Sequence, residues 1–224
     1  MMKIQHEDLC LLILLLMKIN ISKHAIFTEE IYSFEMPNFN FWKKEINEIV
    51  KVEDNDLHKH STDLKFLSNV QSKRTAWDTH LKYPSMLNIS KEFIQIIQSF
   101  VESENFDVPK IKLTDLWINW YAKNQMAMPH CHNNHFSLVL FVDVEKSNTS
   151  FLINKEYKKC FLMKRDDTNT FNNSIVDIKV KDGTCLMFDG GLHHSTTPNL
   201  TDHKRITLAA NFEVSYPILK EHVH

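Results

Sequence analysis

The stretch MPHCHNNHFSLVLFVD, Met128 to Asp143, places His130, His132 and His135 within six positions and then runs into an apolar, strand-like segment. Neutral imidazole is a common ligand of divalent metals, so a metal site is one reading of this cluster. A hydrogen-bonded polar corner is a second. Chance is a third, because the chain holds 13 histidines and repeats His-x-His at His58/His60 and His222/His224. Spacing inside the cluster does not separate the three.

A second group of candidates lies in DGTCLMFDGGLHHSTTPN, Asp182 to Asn199. Asp182-Gly183 reads as a turn, Thr184 to Phe188 as a short strand and Gly190-Gly191 as a second turn, followed by His193, His194 and Pro198. The chain has only three glycines, Gly183, Gly190 and Gly191, all in this window; average usage would give roughly fifteen. A sequence this sparing keeps glycine where backbone geometry admits little else. Arg205 follows His194 by eleven residues and opens the strand-like run RITLAANF. The two histidine clusters, about sixty residues apart, each sit at the edge of a predicted strand. Bringing two such edges together is what a double-stranded β-helix does.

The elements that must position these residues fall into two parts. IFTEEIYSFEMP (Ile26 to Pro37) predicts a strand, and FNFWKKEINEIVKVE (Phe39 to Glu53) a helix capped by Asn38 or Asn40. KVEDNDLHKHSTD (Lys51 to Asp63) reads as a polar connector. NISKEFIQIIQSFVESE (Asn88 to Glu104) is a helix with an apolar stripe of Phe93, Ile96, Ile97, Phe100 and Val101, and a cap at Asn88 or Ser90. From Lys110 the pattern changes. IKLTDLWINWYA, HFSLVLFVDVE, TSFLIN, SIVDIKVK, GTCLMFDG and RITLAANFEVSY are six β-rich runs in roughly a hundred residues, which indicates an antiparallel sandwich or barrel preceded by helices.

Composition narrows the function classes. The chain has 224 residues, 43% hydrophobic and 24% charged, as an ordinary globular protein does. A net charge of −2 offers no broad footprint for nucleic acid. Cys10, Cys131, Cys160 and Cys185 show no Cys-x-x-Cys spacing, which fits a reducing, cytoplasmic setting; Cys131 and Cys185 read as small buried residues. LCLLILLLM (Leu9 to Met17) is too short to span a membrane. It reads either as a buried segment or as part of an over-extended frame whose true start is Met17, and the second is preferred. The expected organisation is an N-terminal extension over 1–16, a strand and support helices over 17–109, and the β core over 110–224, all one domain. Trp77, Trp117 and Trp120 read as core rather than pocket lining.

The order His-x-His, distal His, then Arg resembles the Fe(II)/2-oxoglutarate-dependent dioxygenases, with the prolyl 4-hydroxylase-like branch nearest. That branch has a Tyr nine residues before its first ligand, a Pro four after the distal one and a basic residue about eleven after it. Tyr121, Pro198 and Arg205 stand at those distances from His130 and His194. LWINWYAKNQMAMPHCHNNHFSLVLFVD and LMFDGGLHHSTTPNLTDHKRITLAANFEV are similar to an uncharacterised 2-oxoglutarate-Fe(II) oxygenase family common in bacterial viruses. IFTEEIY and LSNVQSKRTAW also look like that family's opening elements.

The resemblance implies a jelly-roll, double-stranded β-helix core with helices packed on one sheet. It implies Fe(II) held by His130, His132 and His194, with 2-oxoglutarate and O₂ taking the remaining positions, and His194 preferred to His193. Arg205 would fork onto the far carboxylate of 2-oxoglutarate, with hydrogen bonds from Thr207 and from Tyr121 or Asn119. On a strand, residues i and i+2 face one side, so His130 and His132 can ligate together while Cys131 turns away. His132 is a departure: most relatives have Asp or Glu there, and a neutral ligand leaves the metal one unit more positive. His135 is the nearer rival for that place; Asp143 lies too far along the strand. The implied reaction is hydroxylation of an unactivated C–H bond of a protein or peptide side chain, with a small molecule as another substrate class. The alternative is a cupin-like metal-binding protein, or a three-histidine dioxygenase that does not use 2-oxoglutarate.

Overall fold

The structure is a computed structural model and describes residues 30–55, 72–103, 110–145, 148–152 and 175–215. Strand β1 (Ile31–Glu35) leads into helix α1 (Phe39–Asn55). A two-residue strand β2 (Lys73–Arg74), a single turn α2 (Thr79–Lys82) and helix α3 (Pro84–Ser103) follow. Then come β3 (Lys110–Tyr121), β4 (Phe136–Asp143), β5 (Asn148–Leu152), β6 (Ile175–Lys179), β7 (Thr184–Asp189), β8 (His193–Thr196) and β9 (Arg205–Ser215). The proposed extension over 1–16, the Met17 start, His58/His60 and His222/His224 lie outside the described residues.

Six strands form one sheet in the order β1-β7-β4-β9-β3-β2, and three form a smaller one in the order β6-β5-β8. All the strand pairs are antiparallel. Two antiparallel sheets in this jelly-roll order make a double-stranded β-helix, the form that the resemblance implies for the sandwich or barrel predicted from the six β-rich runs. The sequence reading does not resolve β8 as a strand of its own, because its four residues are half histidine.

Side-chain alternation gives the large sheet two different faces. Its outer face carries Leu116, Ile118 and Trp120 of β3, Leu138 and Leu140 of β4, Cys185 and Met187 of β7, and Leu208, Ala210 and Phe212 of β9. Against these pack Trp42, Ile46, Ile49 and Val50 of α1 and Met86, Ile89, Phe93 and Ile97 of α3. The inner face divides. Phe141, Leu186 and Phe188 with Leu192 form a small apolar cluster at one end, while Asp115, Trp117, Asn119, Tyr121, Arg205, Thr207 and Asn211 share that face along β3 and β9.

One interruption sets this pattern. The β3–β9 register jumps from Leu113↔Phe212 to Asp115↔Asn211, leaving Thr114 as a bulge. Ile111 and Leu113 therefore face the helices on one parity, Leu116, Ile118 and Trp120 on the other.

The helices differ from expectation at their ends. Helix α1 runs on to Asn55, two residues past its expected end at Glu53, so Asp54 and Asn55, expected as connector, are helical. Glu53 holds that last turn down: it is buried and accepts hydrogen bonds from the Tyr83 hydroxyl (2.6 Å) and Lys82. Helix α3 begins at Pro84, not near Asn88. Proline suits the first helical position, where no N–H is needed, and it holds Tyr83 extended (φ −119°, ψ 118°). Asn88 and Ser90 are thus interior, and the Ser90 hydroxyl donates to Leu87 O (2.8 Å). Trp42 Nε1 donates to Glu92 Oε2 (2.9 Å), joining the two helices. Trp120 is core, whereas Trp77 is 47% exposed. Among the described residues no helix is long and apolar enough to cross a membrane.

Phe93 is fully buried where α3 meets the sheet. Phe93→Ala is expected to cost about 3–5 kcal/mol, read as a lowered denaturation midpoint with little change in the slope of the denaturant dependence.

Candidate metal centre

His130 and His194 meet through their backbones. They form an isolated antiparallel bridge, His130 N to His194 O at 3.0 Å and His194 N to His130 O at 2.9 Å. On its other edge β8 pairs with β5, so the chain at His130 extends the small sheet by one residue. His130 and His132 therefore precede the strand rather than lie in β4, a correction to the simple strand picture. His132 is held by its own backbone bond, N to Gly190 O at 2.7 Å, and Gly190 N returns a bond to His135 O at 3.1 Å. The glycine is required there, since a Cβ at Gly190 would fall 2.0 Å from Asn134 O. Gly183 answers a different need, a φ of +87°.

One ring nitrogen from each of His130, His132 and His194 lies within 4.8 Å of the others, and these three make a group able to hold a metal ion. Each Nδ1 is already committed to oxygen. His130 Nδ1 is 2.8 Å from Met128 O, and His194 Nδ1 is 2.9 Å from Leu192 O. His132 Nδ1 is 2.8 Å from Asn211 Oδ1 and 2.9 Å from Ser137 Oγ. Carbonyl oxygens only accept, so Nδ1 of His130 and of His194 carries the proton and Nε2 keeps its lone pair. The Phe188 ring stacks edge-on against His194 (4.7 Å), and Trp117 lies 5.8 Å from His132.

Burial disfavours the charged form of these rings. It pushes His194 down to about 3, helped by the neighbouring His130 and opposed by the Leu192 carbonyl. Burial also lowers His130 and His132, with Met128 O and Asn211 pulling the other way. Three neutral nitrogen donors suit iron, nickel, copper or zinc rather than magnesium or calcium.

The structure leaves other candidates apart from this group. The His135 ring accepts from Val214 N (3.2 Å). His193 is exposed on β8. Asp143 pairs with His203 (2.9 Å) and Lys43 (3.5 Å). Cys131, expected to be buried, is exposed because its two neighbours turn inward; Cys185 is buried, and burial raises its thiol.

Arg205 is buried at 2% exposure. Its NH2 donates to Thr196 Oγ1 (2.9 Å) and its NH1 to Thr197 O, so its head lies at the end of β8, just past His194. The guanidinium sits 4.3 Å above the Tyr121 ring. The Tyr121 hydroxyl bonds Ser72 and Thr207 and, wholly buried, is raised chiefly by desolvation. Asn119 is buried, with Ser72 Oγ 3.5 Å from its Oδ1.

Three residues that the sequence reading leaves aside complete the surroundings: Ser137, Asn211 and Asp115. The signal for Asn211 is parity, since it shares the face of Arg205 and Thr207 along β9.

Gly190→Ala is expected to push the 132–135 loop off the β7–β8 turn and weaken divalent-metal binding at least tenfold, a magnitude typical of disturbed ligand support. Titration with Co(II) checks it. In the metal-free protein, an unfolded imidazole takes a proton near pH 6.5 while folded His194 resists until about 3. Protons therefore favour unfolding across that window, and stability falls as pH drops below about 6.5. His194→Leu should flatten this slope, measured as denaturation midpoints in chelator at several pH values.

Residues 115–211 match the family described as "Putative 2OG-Fe(II) oxygenase". Among solved structures, HygX from Streptomyces hygroscopicus with nickel and 2-oxoglutarate bound superposes with a TM-score of 0.57 at 11% identity, covering 86% of this chain and 84% of that one. AviO1 from Streptomyces viridochromogenes gives 0.57 at 12% identity, covering 83% and 90%. The non-haem α-ketoglutarate-dependent epimerase SnoN from nogalamycin biosynthesis gives 0.55 at 14%, covering 83% and 76%. At these identities the likeness is one of fold. No curated protein matches the sequence. Over residues 115–211, the segment that carries the three histidines and Arg205, the chain is similar to the 2-oxoglutarate-Fe(II) oxygenases, an enzyme class that uses Fe(II), 2-oxoglutarate and O₂.

Proposed function

We propose that this oxygenase hydroxylates an unactivated C–H bond in a protein or peptide side chain, consuming O₂ and 2-oxoglutarate and releasing succinate and CO₂. In this reading His130, His132 and His194 hold Fe(II), and Arg205 holds the far carboxylate of 2-oxoglutarate. The observation that supports it most is the set of three ring nitrogens within 4.8 Å, each on a ring whose Nδ1 is already engaged by oxygen.

Bound Fe(II) with 2-oxoglutarate supplies the activation of O₂; the protein supplies position and shelter. Arg205 has five N–H donors, of which Thr196 and Thr197 take two. A planar guanidinium fork matches a carboxylate, and the Tyr121 ring sets its plane here. Thr207, bonded to the Tyr121 hydroxyl, and Asn119 line the same sheet face. Burial of Arg205 strengthens its attraction for an anion by excluding water.

A polypeptide substrate is supported by two exposed apolar side chains beside the triad. Trp77 stacks on Trp117 (4.4 Å), which in turn neighbours His132, and Met128 is 44% exposed two residues before His130. The small net charge gives no general attraction for nucleic acid. Unpaired Cys131 and Cys185 fit a reducing cytoplasm, the host's if the chain is viral.

The experiment is anaerobic loading with Fe(II) and 2-oxoglutarate, then admission of air, with succinate measured and candidate peptides, amino acids and nucleotides screened for a gain of one oxygen. His130→Ala and His194→Ala should each abolish succinate release and metal binding. Arg205→Ala should raise the KM for 2-oxoglutarate at least tenfold while leaving metal affinity within a factor of about two. An unchanged KM would return the cosubstrate role to open question and favour an oxygenase that uses no 2-oxoglutarate.

A further inference from the structure

His132 stands where a carboxylate ligand would otherwise lend the metal a negative charge, and the group of possible ligands contains no acid. A carboxylate does lie behind it, one side chain removed. Asn211 Oδ1 is 2.8 Å from His132 Nδ1, and Asn211 Nδ2 donates to Asp115 Oδ2 at 3.3 Å. Ser137 Oγ donates to the same Asn211 Oδ1 at 3.0 Å and lies 2.9 Å from His132 Nδ1.

The chemistry of these groups permits one arrangement. Asp115, as a carboxylate, only accepts, so Asn211 must present its NH₂ to it. The amide oxygen then faces His132, which must carry its proton on Nδ1 and keep Nε2 bare. Asn211 and Ser137 are buried, so water does not readily scramble this order. Asp115 is fixed in turn. The Thr114 hydroxyl lies 3.0 Å from Asp115 Oδ2 and 3.1 Å from Asn211 O, and it accepts from Asn134 Nδ2 at 2.9 Å. The line therefore starts and ends in the loop that carries the ligand: Asn134, Thr114, Asp115, Asn211, His132.

Resting on the three-histidine site above, we propose that Asp115 and Asn211 are positioning residues that take over the work of the missing carboxylate ligand. Asp115 sets the orientation of the Asn211 amide, the amide sets the tautomer of His132, and the carboxylate charge reaches the metal through that hydrogen-bonded line. Partners of this kind raise ligand basicity, and their loss typically weakens metal binding by about 10–100-fold.

The test is Co(II) titration of the full chain, followed by its visible absorption and by calorimetry, with the unfolding midpoint in chelator measured for every variant. Asp115→Asn keeps an acceptor but removes the charge, and should weaken Co(II) at least fivefold. Asn211→Leu removes the acceptor and should weaken it by at least tenfold and change the absorption band. The exchange variant, Asp115→Asn with Asn211→Asp, moves the carboxylate one place inward, directly onto His132. It should restore affinity to the wild-type value or better. Affinity unchanged in Asp115→Asn overturns the charge role, and an exchange variant as weak as Asn211→Leu overturns the relay. If a variant's chelator-treated midpoint falls in proportion to its loss of affinity, the residues serve the fold alone and the proposal fails. His130→Ala separates the two levels. If it leaves Co(II) binding intact, the three-histidine site itself is wrong; if it abolishes binding while Asp115 and Asn211 variants bind normally, only the relay is wrong.

Discussion

Two reciprocal backbone hydrogen bonds, between His130 and His194, hold the rest of the site in place. They join segments far apart in sequence, and they fix the two Cα atoms before any side chain is considered. The rings then have little freedom. Each Nδ1 finds an oxygen belonging to its own segment or to a neighbouring strand, and one nitrogen of each ring lies within 4.8 Å of the others. The cost is concentrated in one glycine: Gly190 lets the 132–135 loop approach the β7–β8 turn at a distance no other residue tolerates.

The sheet explains how polar chemistry sits inside an apolar fold. The helices cover one face of six strands with a continuous core, leaving stability to Phe93, Ile46, Ile97, Phe212 and their neighbours. The other face is thereby released from that duty over the length of β3 and β9. Polar groups collected there bond one another and the neighbouring strands. Tyr121 bonds Ser72 and Thr207, Arg205 bonds β8, and Asn211 uses both ends of its amide. Asp54 anchors the edge of this region from outside, taking Lys73 of β2, Lys204 just before β9 and Trp120 Nε1, and those partners hold it well below the usual carboxylate range.

Much of this was legible in the sequence, for physical reasons that differ by element. The strands β3, β4, β7 and β9 declare themselves as β-rich runs because they are buried on both faces over most of their length, which favours apolar and β-branched side chains. Helix α1 and the stripe of α3 are equally visible. Helix starts were less so: Pro84 outweighed the polar residues Asn88 and Ser90, whose side chains are as much at home inside a helix turn as at its end. The glycine window pointed to close backbone approach, and Gly190 has one. The support for His132 was hidden, since Ser137, Asn211 and Asp115 are ordinary residues until strand pairing brings three distant positions to one ring. Trp77 misled for the opposite reason; a large aromatic side chain reads as core unless one knows that about half of it stays in solvent.

Thr114 is supernumerary. Struck from the chain, it would leave Ile111, Leu113, Leu116, Ile118 and Trp120 in unbroken alternation, and the pairings of Leu113 with Phe212 and Asp115 with Asn211 are already consecutive on the β9 side. The sheet has no use for the extra residue. Its hydroxyl instead touches Asp115, the Asn211 carbonyl and the Asn134 amide. A strand of perfect regularity would place no hydroxyl here, and the histidine loop would lose its link to the acid behind His132.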